Sequence, residues 1–427
     1  MKRFDFTKMT EAEQKAVLER SAINLTKALE TAKEISMIVR SRGMEAVMAY
    51  ARKFDKYNRE DIRVSENEIE EAFSLLTEKQ KKAIRNAAEN IRRFHEPQFP
   101  KPYSVETVEG VLCERVFTPI ENVGVYIPGG TATLPSTALM LGIPAKIAGC
   151  SRVVLVTPVR EKVPPAVLYA ANLCGITEIY AVGGAQAIAM LAYGIKEVPK
   201  VDKIFGPGNQ YVTAAKMMAS TDPKGCAFDM PAGPSEIMIL ADKEANPAFV
   251  AADFLSQAEH GPDSQSVLIS ESESFLDATM LEIEKQLESL DRKEYLRLSL
   301  EHSMFIRTES IDSAFSTINF YAPEHLVMHV KNPRQYISKI KNAGSVFLGE
   351  FTPESAGDYA SGSNHALPTS GFARSFSGVS VESFMKATTL QEITKSGLAN
   401  LSETICTLAE IEQLSAHKRA VTIRFEQ

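Results

Sequence analysis

From residue 123 onward the chain repeats one unit, a short apolar run followed by a stretch of helical character. Runs at 123–127, 153–156, 179–182 and 203–205 are separated by helix-like sequence such as 185–193 and 211–219. A second series occupies 237–240, 267–269, 304–306, 326–330 and 346–348. A helical crossover returns each strand parallel to the one before it, so this alternation predicts parallel sheets with helices on both faces. The Pro/Gly-rich Met230-Pro231-Ala232-Gly233-Pro234 lies between the series and reads as the crossing from one α/β unit to another.

The flanks differ. The first hundred residues read as helices, because Thr10-x-x-Glu13, Ser65-x-x-Glu68 and Thr77-x-x-Gln80 carry the reciprocal capping pattern and apolar residues follow at helical spacing, as in Ile69, Ala72, Phe73 and Leu76. Residues 105–117 read as strands around a turn at Glu109-Gly110. After Ser380 the sheet pattern gives way to polar helical sequence, ending with 409–417 and Val421-Thr422-Ile423. That tail is too small to hold a core, which predicts packing on another domain or subunit. No fixed-period repeat or low-complexity segment is found.

At 427 residues with 44% hydrophobic content, the chain is long enough to divide into two or more domains with a cleft between them. A formal net charge of −7, with Lys and Arg scattered, offers no footprint for nucleic acid or anionic membrane and leaves a small molecule as the expected partner. Met1-Lys2-Arg3-Phe4-Asp5-Phe6 lacks the apolar core of a signal peptide, and no segment approaches the roughly 20 apolar residues of a membrane helix. The cysteines Cys113, Cys150, Cys174, Cys226 and Cys406 are odd in number and contain no C-x-x-C pair, as expected of a reduced, cytoplasmic protein.

Donor side chains gather in four places. Gln257 and His260 lie three apart at an expected helix end, before the terminating Gly261-Pro262. Asp358 and His365 flank a Gly/Ser-rich stretch whose small residues permit close approach to a ligand, or form an ordinary polar loop. Glu324-His325, just before an expected strand, pairs a carboxylate with an imidazole able to move protons near neutral pH. Glu412-x-x-x-x-His417 resembles any solvated helix terminus. Taken singly, each is better explained by ordinary hydrogen bonding at the solvated surface, and no H-E-x-x-H signature supports a metal. Three glycine-rich turns, Gly129-Gly130, Gly183-Gly184 and Gly206-Pro207-Gly208-Asn209, follow expected strands, where open α/β sheets bind ligands. None is G-x-G-x-x-G, since Tyr211 stands where the third glycine would be, so tight turns explain them equally well.

In order, Gly124-Val125-Tyr126-Ile127-Pro128-Gly129-Gly130, Gly183-Gly184-Ala185-Gln186-Ala187, Gly206-Pro207-Gly208-Asn209, Pro231-Ala232-Gly233-Pro234-Ser235-Glu236 and Ser256-Gln257-Ala258-Glu259-His260-Gly261 resemble the histidinol dehydrogenase family. Asn319 through Leu326, Ser355 through Pro368 and Ala416-His417-Lys418 extend the resemblance over residues 25 to 424. It implies an α/β protein of two Rossmann-like, doubly wound parallel-sheet domains of the aldehyde dehydrogenase type, with small terminal segments. The implied division is 1–24 as a helical segment, 25–125 with 235–379 as a zinc and catalytic domain, 126–234 as the NAD-side domain and 380–427 packing on a partner subunit. The family's zinc ligands map onto Gln257, His260, Asp358 and His417, its proton-handling pair onto Glu324 and His325, and its NAD contacts onto Tyr126, Gln186 and Asn209. Substrate contacts map onto Ser235, His325, His365 and Glu412 as well as the zinc ligands, with Ser136 as a further candidate.

The implied reaction takes L-histidinol through its aldehyde to L-histidine with two NAD and one water, in a homodimer whose subunits share their active sites through Glu412 and His417. Three other readings remain open at this point. Cys226 is the candidate nucleophile for a thioester-forming aldehyde dehydrogenase, although only Lys224 nearby would lower its pKa. A zinc hydrolase would use Glu324 without a nucleotide. A binding protein that retained the fold would use none of these groups catalytically.

Overall fold

The computed structural model describes residues 1–20, 25–129 and 134–426; Gly130 of the first glycine-rich turn and residues 21–24 of the expected N-terminal segment lie outside the described residues. The chain opens not with a helix but with strand β1 (Lys2–Asp5), paired in parallel with residues 304–307. Phe4 and Phe6 pack into the core beside it, while Arg307 pairs with Asp5 at the sheet edge. The expectation of a wholly helical segment 1–24 is corrected to that extent. A helix follows at Glu11–Leu18, and its Thr10–Glu13 capping box is formed, as are those of Ser65–Glu68 and Thr77–Gln80 on later helices. Each such cap stabilises its helix by about 1 kcal/mol.

Helices Leu25–Arg42, Met44–Asp55, Glu66–Ser74 and Glu78–His95 lead to the hairpin β2 (Tyr103–Val108) and β3 (Val111–Pro119), turning at Glu109-Gly110 as expected. Five strands then form a parallel sheet: β4 (Asn122–Tyr126), β5 (Arg152–Val156), β6 (Glu178–Tyr180), β7 (Lys203–Phe205) and β8 (Ala227–Phe228), in the order β6-β5-β4-β7-β8. Ala28, Ala32, Val39, Val47, Ile69 and Ile91 from the preceding helices share one core with Val125, Leu155 and Ile204 of this sheet. Residues 62–64 also bond its edge, with Val64 N–H donating to Ile179 O and Ala181 N–H to Ile62 O. The helices of residues 25–95 thus share their core with the five-stranded sheet. An apolar stripe shows that a helix buries a face, but not which sheet it is buried against.

The second sheet contains β9 (Glu236–Ala241), β10 (Gln265–Ser270), β11 (Met304–Arg307), β12 (His325–His329) and β13 (Ser345–Leu348), in the order β1-β11-β10-β9-β12-β13, all parallel. Neighbouring residues on one strand join different cores. Ile237, Ile239 and Val327 meet helices Pro247–Ala258 and Glu273–Leu287, whereas Met238, Leu240 and Leu326 meet helix Ile311–Tyr321 on the other face. That partition is the two-residue side-chain period of strands covered on both sides, and it explains their unbroken apolar runs.

Beyond Ser380 the expectation of helix alone fails, because β14 (Met385–Ile393) pairs antiparallel with β3 along nine residues. Phe384, just before it, stacks on Phe205 with ring centroids 3.9 Å apart and fastens the segment to the five-stranded unit. The terminal helices Lys395–Ile411 and Ser415–Thr422 follow, packed on each other. They leave Leu408 53% and Ile411 71% exposed.

Candidate active site

Chain connectivity brings Glu324 and His325 to the amino ends of β9 and β12. Glu324 precedes β12, His325 begins it, and β9 begins beside them at Glu236. Glu324 is buried and its Oε2 accepts the Glu236 N–H at 2.9 Å. The Glu236 side chain turns the other way, into a two-point contact with Arg20 at 2.6 and 2.7 Å. Arg20 in turn lies 3.6 Å above the Tyr321 ring.

The orientation of His325 sets its tautomer. Its Nδ1 is 3.2 Å from the Glu236 carbonyl, which can only accept, so Nδ1 carries the proton and Nε2 the lone pair; Glu354 Oε1 lies 3.1 Å from the same nitrogen. Nε2 is buried without a hydrogen bond among the described residues, 4.0 Å from Asp358 Oδ1. Burial lowers the His325 pKa to about 4, with His260 and His365 adding to the effect and Asp358 opposing it. A neutral ring with a free, inward-facing nitrogen is the form a proton acceptor needs.

Glu354 and Asp358 lie four residues apart on one face of helix Glu354–Tyr359, part of a stretch whose small residues suggested a loop. Ser256 donates to Glu354 Oε2 at 3.2 Å. Gln257 closes helix Pro247–Ala258, is 0% exposed, and has neither side-chain oxygen nor nitrogen partnered among the described residues. His260 projects just beyond, 3.6 Å from Asp358 Oδ2. Ligand atoms of His260, Glu354 and Asp358 lie within 4.8 Å of one another. Burial drives Glu324 well above the usual carboxyl range, and after the opposing Glu236 N–H bond come the charges of Glu236, Glu354 and Asp358, which raise it further. Burial also raises Glu354. At Asp358, burial is outweighed by His260, His365 and His325, which hold the carboxylate below its usual range. A concentration of buried carboxylates, three imidazoles and an unpartnered amide oxygen suits a divalent cation with mixed N/O ligands.

His365 joins this centre to the other unit. Its Nδ1 lies 3.1 Å from the Asp358 carbonyl and its Nε2 2.9 Å from the Thr137 hydroxyl, on helix Pro135–Ala148 that follows β4. Ser136, the adjacent residue, is buried, and Ser235 is half-buried immediately before β9.

At the carboxyl ends of β4, β6 and β7 lies a cleft of about 1160 Å³ lined by Tyr126, Gln186 and Asn209, with Gly129, Pro158 and Asp55 also at its wall. Tyr126 OH accepts the Gly184 N–H at 3.2 Å, and burial pushes its phenol up to about 12. Gln186 is 1% exposed with Nε2 unpartnered. Asn209 caps helix Gln210–Thr221 through Oδ1, which accepts from Tyr211 and Val212 N–H, leaving its amide NH2 for a ligand. Gly206 has a structural reason to be glycine: φ is 114° and a Cβ would stand 2.2 Å from the Tyr126 carbonyl.

The histidinol dehydrogenase family model matches residues 18–425. The chain belongs to the histidinol dehydrogenase family. A histidinol dehydrogenase of Vibrio parahaemolyticus is 51% identical over 98% of this chain and 97% of its own, and one from Vibrio cholerae 49% identical over 98% and 97%. The crystal structure of histidinol dehydrogenase from Elizabethkingia anophelis superposes with a TM-score of 0.94 at 47% identity, covering all of this chain and 98% of that one. Membership in the histidinol dehydrogenase family makes the chain an oxidoreductase.

Within one chain the structure assembles Gln257, His260, Glu324, His325, Asp358 and His365, and separately Tyr126, Gln186 and Asn209. Glu412 and His417 are exposed on the terminal helices and join neither group in this chain. Glu354 escaped the sequence reading. Its one local signal is the four-residue spacing to Asp358, masked by the glycine and serines that follow. Cys226 packs in the core of the five-stranded unit, where burial pushes the thiol up to about 12, the opposite of what a thioester-forming nucleophile requires.

Proposed function

We propose that this site oxidises L-histidinol to L-histidine in two steps through the aldehyde, with NAD in the Tyr126–Gln186–Asn209 cleft, a zinc ion beside His325, and the two halves of each site drawn from a cytoplasmic homodimer. The carrying observation is the buried, unpartnered Nε2 of His325 next to Asp358, His260 and Gln257. Gln257, His260 and Asp358 would hold zinc, with His417 of a second copy completing the set. The exposed apolar surface of the terminal helices supports that sharing. Zinc supplies a fixed positive charge that anchors the substrate's imidazole and amine, and NAD accepts the hydride in each oxidation.

The chain's own groups handle protons and orientation. His325 Nε2 takes the hydroxyl proton in the first oxidation, held in the correct tautomer through Nδ1. Glu324, whose raised pKa makes its ionised form a stronger base, removes a proton from the water that adds to the aldehyde. His325 returns its proton to the aldehyde oxygen as water adds, which frees Nε2 to accept the hydroxyl proton of the hydrate in the second oxidation. Ser235, His365 and Glu412 of the second copy orient the substrate, and the buried position of Glu324 keeps bulk water away. The test is NADH absorbance with L-histidinol and NAD, alongside zinc analysis of dialysed protein. The expected result is two NADH per histidinol and zinc bound in proportion to chains. Zinc-loaded protein that forms no NADH would overturn the reading.

A further inference from the structure

The nucleotide cleft holds a carboxylate that none of the steps above uses. Asp55 ends helix Met44–Asp55 and lines the cleft with Tyr126, Gln186 and Asn209. Its Oδ2 is sealed from solvent and accepts no hydrogen bond among the described residues. Burial pushes the carboxyl up to about 6, and no cation among the described residues draws it back. A desolvated, unpartnered acceptor is a cost to the free protein, which a ligand bearing donors removes. Gln186 Nε2, buried and unpartnered in the same cleft, marks a second polar position left open there.

A carboxylate accepts and does not donate, so its complement in a dinucleotide is a pair of ribose hydroxyls, and phosphate is its opposite. In many α/β dinucleotide sites an acidic residue of the βαβ unit itself plays this part. Here β5 is followed by Thr157-Pro158, the one acid of that loop, Glu161, is exposed between two cations, and Asp55, its Oδ2 sealed from solvent, reaches the cleft from a helix outside the strand series. The same loop carries Arg160 and Lys162 to the cleft wall, with Glu161 between them. Those cations would accommodate an additional phosphate unless a nearby negative charge opposed it.

Building on the NAD reading, we propose that Asp55 selects NAD over NADP, accepting hydrogen bonds from the 2′- and 3′-hydroxyls of the adenosine ribose and repelling a 2′-phosphate. The test is calorimetric titration of NAD and NADP into full-length wild-type protein and into Asp55→Asn. Wild type should bind NAD more tightly than NADP. Asp55→Asn should weaken NAD binding by about tenfold or more while NADP binding strengthens, so that the preference falls by at least that factor. An unchanged NAD/NADP ratio in Asp55→Asn, with NAD still bound by wild type, would overturn the role of Asp55 alone. Wild type that binds neither nucleotide would overturn the NAD reading, and this proposal with it. A comparison on unaltered protein does not depend on the variant folding. Adenosine 5′-monophosphate should compete with NAD and adenosine 2′,5′-bisphosphate should not, whereas equal competition would overturn the proposal.

Discussion

Tyr126, Gln186 and Asn209 end or follow strands, so the cleft of the five-stranded unit opens at the carboxyl ends, whereas Ser235, Glu324 and His325 precede or begin strands and place the polar cluster of the six-stranded unit at its amino ends. The connectivity is nevertheless the same: β6-β5-β4-β7-β8 and β11-β10-β9-β12-β13 both run third, second, first, fourth, fifth. The difference follows from charge. Helices flanking a parallel sheet point their positive N-termini toward the carboxyl ends of the strands and their negative C-termini toward the amino ends. An anionic dinucleotide suits the first environment. A metal cation suits the second, and Gln257 and His260 stand at the C-terminus of helix Pro247–Ala258. The His365–Thr137 bond shows the two ends abutting, the arrangement a hydride transfer between them needs.

If the two ends divide the work in this way, removing the proton acceptor should damage one and spare the other. His325→Asn should reduce kcat by about 10²- to 10⁴-fold, the range of general acid–base catalysis, with the Kd for NAD unchanged. Stopped-flow turnover and calorimetry on the same preparation make the comparison. A loss of NAD affinity as large as the loss of kcat would mean that the ends are not separable.

A smaller but sharper change concerns the third region, the terminal helices. Asp358→Ala and the double variant Glu412→Ala with His417→Ala should each be inactive as homodimers. Mixed dimers contain one intact composite site of two and should recover about half of the wild-type turnover if the site is shared across a two-fold dimer. Inactive mixed dimers, confirmed by tagging each chain, would place Glu412 and His417 outside the site.

What could be read from residues alone follows the same physical division. The strands of both parallel sheets are short apolar runs because both faces are covered, and burial of that kind leaves a mark in sequence. β14 carries no such mark: Met385-Lys386-Ala387-Thr388-Thr389-Leu390-Gln391-Glu392-Ile393 is exposed almost throughout, and only its backbone pairing with β3 makes it a strand. The docking of residues 25–95 on the five-stranded sheet was illegible for a related reason, since amphipathic helices do not name their partner. At the site, Glu324 and His325 are adjacent and draw notice as a pair. The contact of Glu354 with His325 spans 29 residues and exists because β12 and β13 are neighbours, with the helix after β13 bent back over the strand start. Family resemblance supplied the ligand set that spacing could not.

The smallest expected effect tests whether the five-stranded unit contributes any covalent chemistry. Cys226 lies just before β8, in a core shared with Phe205 and Met230, with its thiol pushed up to about 12 by burial; Lys200 and Lys216 lower it and Asp202 raises it. At neutral pH such a thiol is protonated, because burial outweighs the two lysines, and a protonated thiol is not prepared to attack an aldehyde. Cys226→Ala should therefore retain kcat within about twofold and lose only about 1 kcal/mol of stability from the vacated sulfur, read as a small fall in urea midpoint. Loss of the second NADH per histidinol, with the first still formed, would instead show that aldehyde oxidation passes through a thioester. The five-stranded unit would then do more than bind the nucleotide, and the contrast between the two sheets would fail at its simplest point.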